Sequence, residues 1–256
     1  MENQMKNNTD FEDLVKIEIS QTKTIAIFTS FLLFYISAII LWKQNTIDSD
    51  IVIHFNFVYE NELYLRLVKA LSRYGMSFIT ALYALFLFFS FRNEELKYER
   101  PLFFLILISF ALSTIGGDLL KELIDKARPV MALSGQIAIK NIHETPAFPS
   151  GHATKSMALA LPFVIMASGK SNIIKIVKIL VFIAALLVCY SRIAQQAHFL
   201  SDVLAGIGTA LFFIPISVWL TNKLFKKRKL NEYKLNMLSR KITLIFIGLT
   251  VILCFL

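Results

Sequence analysis

Long apolar runs separated by short polar segments occupy almost all of this chain. Stretches near 24–42, 76–91, 102–120, 154–168, 174–190 and 203–221 approach the ~20 residues an α-helix needs to cross ~30 Å of hydrocarbon, and a shorter run lies at 242–256. The pattern predicts an all-α integral membrane protein: a six-helix transmembrane bundle, with 242–256 as a candidate short seventh membrane helix. As a helix, that last run extends only ~22 Å, short of a full crossing. Between the first two spans, "NELYLRLVKALSRYG" repeats Leu63, Leu67, Val68 and Leu71 at helical spacing beside Arg66, Lys69 and Arg73. This predicts an interfacial helix in the first outer loop, either lying in the membrane surface or packed over the bundle's outer face.

Composition strengthens the membrane reading. Of 256 residues 56% are hydrophobic and 23 are phenylalanine, and the mean hydropathy of +0.61 is too high for an ordinary soluble domain. The first apolar run has no small-residue cleavage site behind it, so it reads as a retained helix. With no internal repeat and no long linker, one domain at 24–221 is expected. A cytoplasmic segment at 1–23 precedes it, and a basic cytoplasmic segment with the C-terminal apolar helix follows at 222–256. Cys189 and Cys254 fall in apolar runs and read as small buried hydrophobes.

The net charge of +9 is distributed as a membrane would require, which argues against a nucleic-acid partner. Seventeen of the 27 Lys and Arg lie before the first span and in 92–101, 169–178 and 222–241, whereas ten lie in 43–75, 121–155 and at Arg192. The positive-inside rule places the N-terminus in the cytoplasm and 43–75, 121–153 and 191–202 outside. The patch "KLFKKRK" at 223–229 then serves as a topology anchor against anionic headgroups.

Candidate chemistry gathers on the outer side. Lys121 and Arg128 end the third span, Ser150, Gly151 and His152 precede the fourth, and Arg192, His198 and Asp202 lie between the fifth and sixth. Mutual pairing with Asp118, Glu122, Asp125 and Glu144 is one reading of these cations. The other is a phosphate cradle, because guanidinium forks match phosphate oxygens and a lysine adds a compact charge. Ser150 supplies a hydroxyl and Gly151 an uncluttered amide at a helix start, where anions are favoured. A neutral imidazole is a competent nucleophile when a carboxylate orients it, and Asp202 follows His198 at i+4, on the same face if the segment is helical. His152 would then serve as a general acid.

In order and spacing, Lys121-x6-Arg128-Pro129, Pro149-Ser150-Gly151-His152 and Ser191-Arg192-x5-His198-x3-Asp202 resemble the three-part signature of the type 2 phosphatidic acid phosphatase superfamily. The resemblance implies a metal-independent hydrolase of phosphoric esters or anhydrides that works through a phosphohistidine and needs no cofactor. It casts His198 as nucleophile, Asp202 as its orienter and His152 as acid and then base. Lys121, Arg128, Ser150, Gly151 and Arg192 would hold the phosphate. The expected partner is a phosphorylated membrane lipid: an isoprenyl diphosphate, phosphatidylglycerol phosphate, phosphatidic acid or a lipid A phosphate. The expected location is a bacterial inner membrane, with the site facing the periplasm or exterior.

Other readings remain open at this level. The same phosphohistidine would serve a lipid phosphotransferase, and the same cations a lipid-binding or transport protein. A metal hydrolase built on His143, His152, His198 and Asp202 is opposed by the three surrounding cations. Gln195 and Gln196 offer either headgroup contacts or packing. Lys126, Lys140, His143 and Lys155 offer either a second phosphate or sugar site or a solvated loop.

Overall fold

The computed structural model describes residues 17–138, 145–228 and 232–255, and among these every regular element is helical. The long helices are α1 (Gln21–Lys43), α4 (Glu62–Ser90), α6 (Arg100–Ile124), α8 (Gly151–Met166), α9 (Asn172–Ala194), α10 (Leu200–Arg228) and α11 (Glu232–Phe255). Short helices α2 (Thr46–His54), α3 (Phe57–Glu60), α5 (Glu94–Lys97) and α7 (Pro129–Ala132) lie in the connections. All long helices but α8 are long and apolar enough to cross a membrane. Their outward faces carry large apolar side chains such as Phe28, Leu85, Ile179 and Trp219, as lipid contact requires.

At 16 residues α8 is the shortest long helix and the most enclosed, packing on α6, α9, α10 and α4. Small residues permit this: Ala153, Ser156, Ala158 and Ala160 are fully buried and let neighbouring backbones approach closely. Pro162 withdraws one N–H from the ladder of α8, and the Tyr83 hydroxyl donates to the nearby carbonyl of Leu159 at 2.8 Å. The last carbonyls of α8 are met by cations: Lys23 Nζ donates to Ile165 O at 3.2 Å, and Lys178 donates to Ala167 O.

Two expectations change. The amphipathic segment at 61–75 is not a separate interfacial helix. It continues into the second span as the 29-residue α4. Gly75 lies at the junction, and its bare Cα sits against α9, where an added Cβ would stand 2.3 Å from Val188 Cγ2. The connection expected to lie outside is instead 44–61, carrying α2 and α3. The C-terminal run is also longer than its apolar part suggested, because the polar residues of its first turns are helical too. Its 24 residues, ~36 Å of helix, suffice for a crossing.

α11 belongs to the main core rather than to an appended segment. Phe246, Ile242 and Leu253 are buried in the same cluster as Tyr83, Phe103 and Phe163. Phe246 meets Tyr83 edge-on at 5.5 Å. At the end opposite the sequence motifs Arg100 Nη1 donates to Asn236 Oδ1 at 2.5 Å, tying α11 to α6. The N-terminal segment also docks there, where Ile17 exchanges two backbone hydrogen bonds with the Asn222 side chain. The earlier part of that segment, 1–16, lies outside the described residues, as does Lys229 of the basic patch. Cys189 is buried and Cys254 half-buried, both as free thiols.

Phe246→Ala removes the ring that seats α11 on α4 and α6. Unfolding free energy should fall by about 3 kcal/mol, read as a lower denaturation midpoint in detergent by tryptophan fluorescence.

Candidate active site

All three sequence motifs arrive at one end of the bundle because α6 and α9 end where α8 and α10 begin. α6 stops at Asp125, whose left-handed backbone (φ 46°) turns the chain into the segment carrying Arg128. Lys121, in the last turn of α6, points at the start of α8. A Cβ on Gly151 would stand 3.2 Å from its Nζ, so glycine leaves room for the ammonium group beside the helix start.

The start of α8 is built as an open anion site. Ser150 is the N-cap, yet its side chain makes no capping bond, and its Oγ is buried without a partner. The amides of the first turn therefore retain the positive end of the helix dipole. Ser150 N donates to the carbonyl of Asp202 at 2.9 Å, which fixes this turn against α10. Gly206 makes the approach possible, since a Cβ there would meet Ser150 O at 2.9 Å and Thr154 N at 3.1 Å.

Arg128 and Arg192 flank His198. Arg128 Nε donates to Thr145 O at 2.7 Å and Nη2 to Thr145 Oγ1 at 2.8 Å, while Nη1 reaches Ala197 O at 3.2 Å. The same Nη1 lies 3.4 Å from His198 Nε2. Arg192 Nη1 donates to Ser72 Oγ at 2.6 Å, and its Nε is buried without a partner. Among the described residues, neither arginine nor Lys121 has a carboxylate oxygen within 4.0 Å. The expected alternative, pairing with Asp118, Glu122 or Asp125, is absent there, and Glu144 lies outside the described residues.

His198 is 2% exposed. Its Nδ1 faces Asp202 Oδ2 at 3.5 Å, too long and too poorly directed for a formed hydrogen bond. Asp202 Oδ2 instead accepts from Phe199 N at 2.9 Å, and Oδ1 accepts from Lys126 Nζ at 2.8 Å. Burial above all pushes the His198 imidazole down to about 4, with Arg192 and Arg128 adding to the shift against the opposing pull of Asp202. The ring is therefore neutral near pH 7. With Nδ1 turned to the carboxylate, the lone pair falls on Nε2, the nitrogen facing Arg128. His152 stands in the first turn of α8, half-buried, and Lys155 follows it one turn later.

Several residues around the site had no signal in the sequence. Ser72 holds Arg192 and Thr145 holds Arg128. Asp48 of α2 accepts from Ser201 N at 3.1 Å and lies 3.6 Å from Lys126 Nζ. Lys126 is consequently neither a solvated loop residue nor a free cation for a second phosphate. Gln196, in a left-handed conformation (φ 54°), is fully buried: its amide donates to Val52 O at 3.1 Å and Asn56 Oδ1 at 2.7 Å and accepts from Ala138 N at 3.1 Å. Gln195 donates to Val68 O at 3.2 Å and accepts at its carbonyl from the Tyr59 hydroxyl at 2.8 Å. Both glutamines thus lash the His198 loop to the outer connection. Lys140 and His143 lie outside the described residues.

Comparison with known proteins gives a consistent picture. The family profile of the PAP2 superfamily matches residues 102–226. An undecaprenyl-diphosphatase of Sulfolobus acidocaldarius is 26% identical over 166 residues, 62% of this chain and 73% of that protein. A phosphatidylglycerophosphatase B of Bacillus subtilis is 33% identical over 123 residues, 43% of this chain and 54% of that protein. The crystal structure of a transmembrane PAP2 type phosphatidylglycerolphosphate phosphatase from Bacillus subtilis superposes with a TM-score of 0.55 at 22% identity, covering 80% of this chain and 96% of that one.

The buried ring makes a pH prediction. The folded state depresses the His198 pKa, so below the ordinary value of 6.5 the unfolded chain binds more protons and stability falls as pH drops toward about 4. Nitrogen-15 NMR of the histidine side chains in detergent should show His198 titrating near the lower value; a midpoint near 6.5 would contradict the buried neutral ring.

Proposed function

We propose that this chain, whose residues 102–226 match the PAP2 superfamily, is an integral membrane lipid phosphatase of that superfamily that hydrolyses a phosphomonoester or diphosphate through a phosphohistidine, without a metal. One observation carries the reading. Cations without a carboxylate oxygen within 4.0 Å among the described residues, and an uncapped helix start, surround a buried histidine whose Nε2 faces Arg128.

His198 Nε2 attacks phosphorus while Lys121, Arg128, Arg192, the Ser150 hydroxyl and the Gly151 amide hold the non-bridging oxygens. Asp202 draws in the Nδ1 proton and stabilises the positive ring that forms. Burial first, and then the neighbouring cations, hold the His152 imidazole well below its ordinary pKa. A phosphate dianion between it and those cations offsets their charge, so that the ring carries the proton it gives to the departing alkoxide or phosphate as the bond to the lipid oxygen breaks. The now neutral His152 takes a proton from water, whose oxygen attacks the phosphohistidine. Inorganic phosphate leaves and His198 is restored.

Two classes of lipid phosphate lead the candidate substrates, an isoprenyl diphosphate and phosphatidylglycerol phosphate, because the relatives bear the names undecaprenyl-diphosphatase and phosphatidylglycerophosphatase B. Phosphatidic acid and lipid A phosphates offer the cradle the same phosphomonoester group. The distribution of Lys and Arg supports a site on the extracytoplasmic face.

Detergent-purified protein in EDTA should release inorganic phosphate from at least one of these lipids. His198→Ala should lose the activity by about a thousandfold or more, while still binding the lipid. Retained turnover in His198→Ala, or turnover that chelation abolishes and zinc restores, would sink the mechanism. His152→Ala should accumulate the phosphoenzyme when the substrate is an aryl phosphate, whose leaving group needs no proton. Alkaline-stable, acid-labile phosphate on His198 is the expected mass-spectrometric signature.

A further inference from the structure

Lys126 is a buried charge that the proposed mechanism does not use. Its ammonium donates to Ser201 Oγ at 2.6 Å and Asp202 Oδ1 at 2.8 Å, and lies 3.6 Å from Asp48 Oδ2. Three aromatic rings close around it: Phe199 at 4.6 Å, Trp42 at 5.3 Å and Phe148 at 5.8 Å. Lys126 is 7% exposed, and Asp48 and Asp202 are 1% and 0% exposed. The Ser201 hydroxyl donates to Asp48, and the backbone N–H of Ser201 does the same at 3.1 Å. With its polar contacts directed at these groups, the ammonium is turned away from any phosphate in the cradle.

An ammonium group so deeply enclosed needs both carboxylates, since an unpaired buried charge is costly. The arrangement also acts on Asp202. One oxygen of that carboxylate is held by Lys126 and the other by Phe199 N–H, which leaves Oδ2 facing Nδ1 of His198 with no freedom to rotate. We propose that Lys126, locked in place by Asp48 and the aromatic cage, is a positioning residue for phosphoryl transfer, fixing the Asp202 carboxylate toward His198 and countering part of its charge. This role rests on the phosphohistidine reading above. It gives the outer connection 44–61 a part in catalysis, because Asp48 lies beside Lys126, which holds the Asp202 carboxylate that faces His198.

The charged and titratable groups facing His198 are Arg128 from the α6–α7 connection, Arg192 of α9, His152 of α8 and Asp202 of α10. Removing Lys126 leaves Asp202 with the imidazole as its principal side-chain partner, which favours a charged, non-nucleophilic ring. Lys126→Met alone leaves two buried carboxylates facing each other across Ser201, so the informative protein is Lys126→Met/Asp48→Asn, which removes one charge of each sign.

With phosphatidylglycerol phosphate and farnesyl diphosphate as probes, this double variant should melt close to wild type and lose about tenfold or more in kcat, with KM within about threefold. Lys126→Arg should restore most of the rate. The NMR midpoint of His198 should move up from about 4 toward 6.5 in the double variant. A double variant with kcat within about twofold of wild type would show the cluster to be structural only and overturn the proposal. Should wild type hydrolyse neither probe nor any other lipid phosphate, the functional reading fails by itself, and the NMR arm alone decides: an unmoved His198 midpoint overturns the positioning role.

Discussion

Everything at the polar end of this bundle depends on how α8 meets the two ends of its own dipole. Its last carbonyls accept from Lys23 and Lys178, and at its first turn the N-cap Ser150 keeps its hydroxyl unbonded. The helix is thus capped by cations where its C-terminus is negative and left open where its N-terminus is positive. An open N-terminus in a low-dielectric bundle is stable only beside something that fixes it without neutralising it. The Ser150 N–H to Asp202 carbonyl bond does this, together with the bare backbone of Gly206.

The same logic governs the side chains around it. Arg128 and Arg192 are held through neutral partners, Thr145, Ala197 and Ser72, so their positions are set while their charge remains available. The buried carboxylates at this end, Asp48 and Asp202, are directed to Lys126 instead. Positive charge is therefore sorted into two populations on either side of His198. One is neutralised and enclosed in aromatic rings, and the other is left for an incoming anion. His198 stands between them, with Nδ1 toward the paired group and Nε2 toward the unpaired one.

Holding these parts together needs an outer layer as well as the helices. Gln195, Gln196, Asn56 and Tyr59 tie the His198 loop to α3 and α4, and Gln196 accepts a left-handed backbone in doing so. A bundle whose helices met only through apolar faces would leave that loop free to shift, because apolar contacts are non-directional. Buried amide hydrogen bonds supply the direction.

The amino-acid sequence alone determined the helical membrane class and the gathering of the three motifs at one end of the bundle, because hydrocarbon thickness acts on linear runs and successive spans return alternate connections to the same end. The spacing of Lys121 to Arg128 and of His198 to Asp202 was also legible, since each lies within a local segment. What it did not determine was the continuity of α4 through Gly75, which depends on the space left by Val188, or the length of α11, whose polar first turns are stabilised by Asn236 against Arg100. Nor did it reveal Asp48 or Ser72 as parts of the polar end, or show that Lys126, a candidate for a second phosphate site or a solvated loop, pairs with buried carboxylates instead. Asp48 and Lys126 are separated by the whole of the second and third spans, and each in its own segment looks like an ordinary loop charge. Only tertiary packing, by burying both beside Asp202 and withdrawing water, gave those charges a partner and a direction.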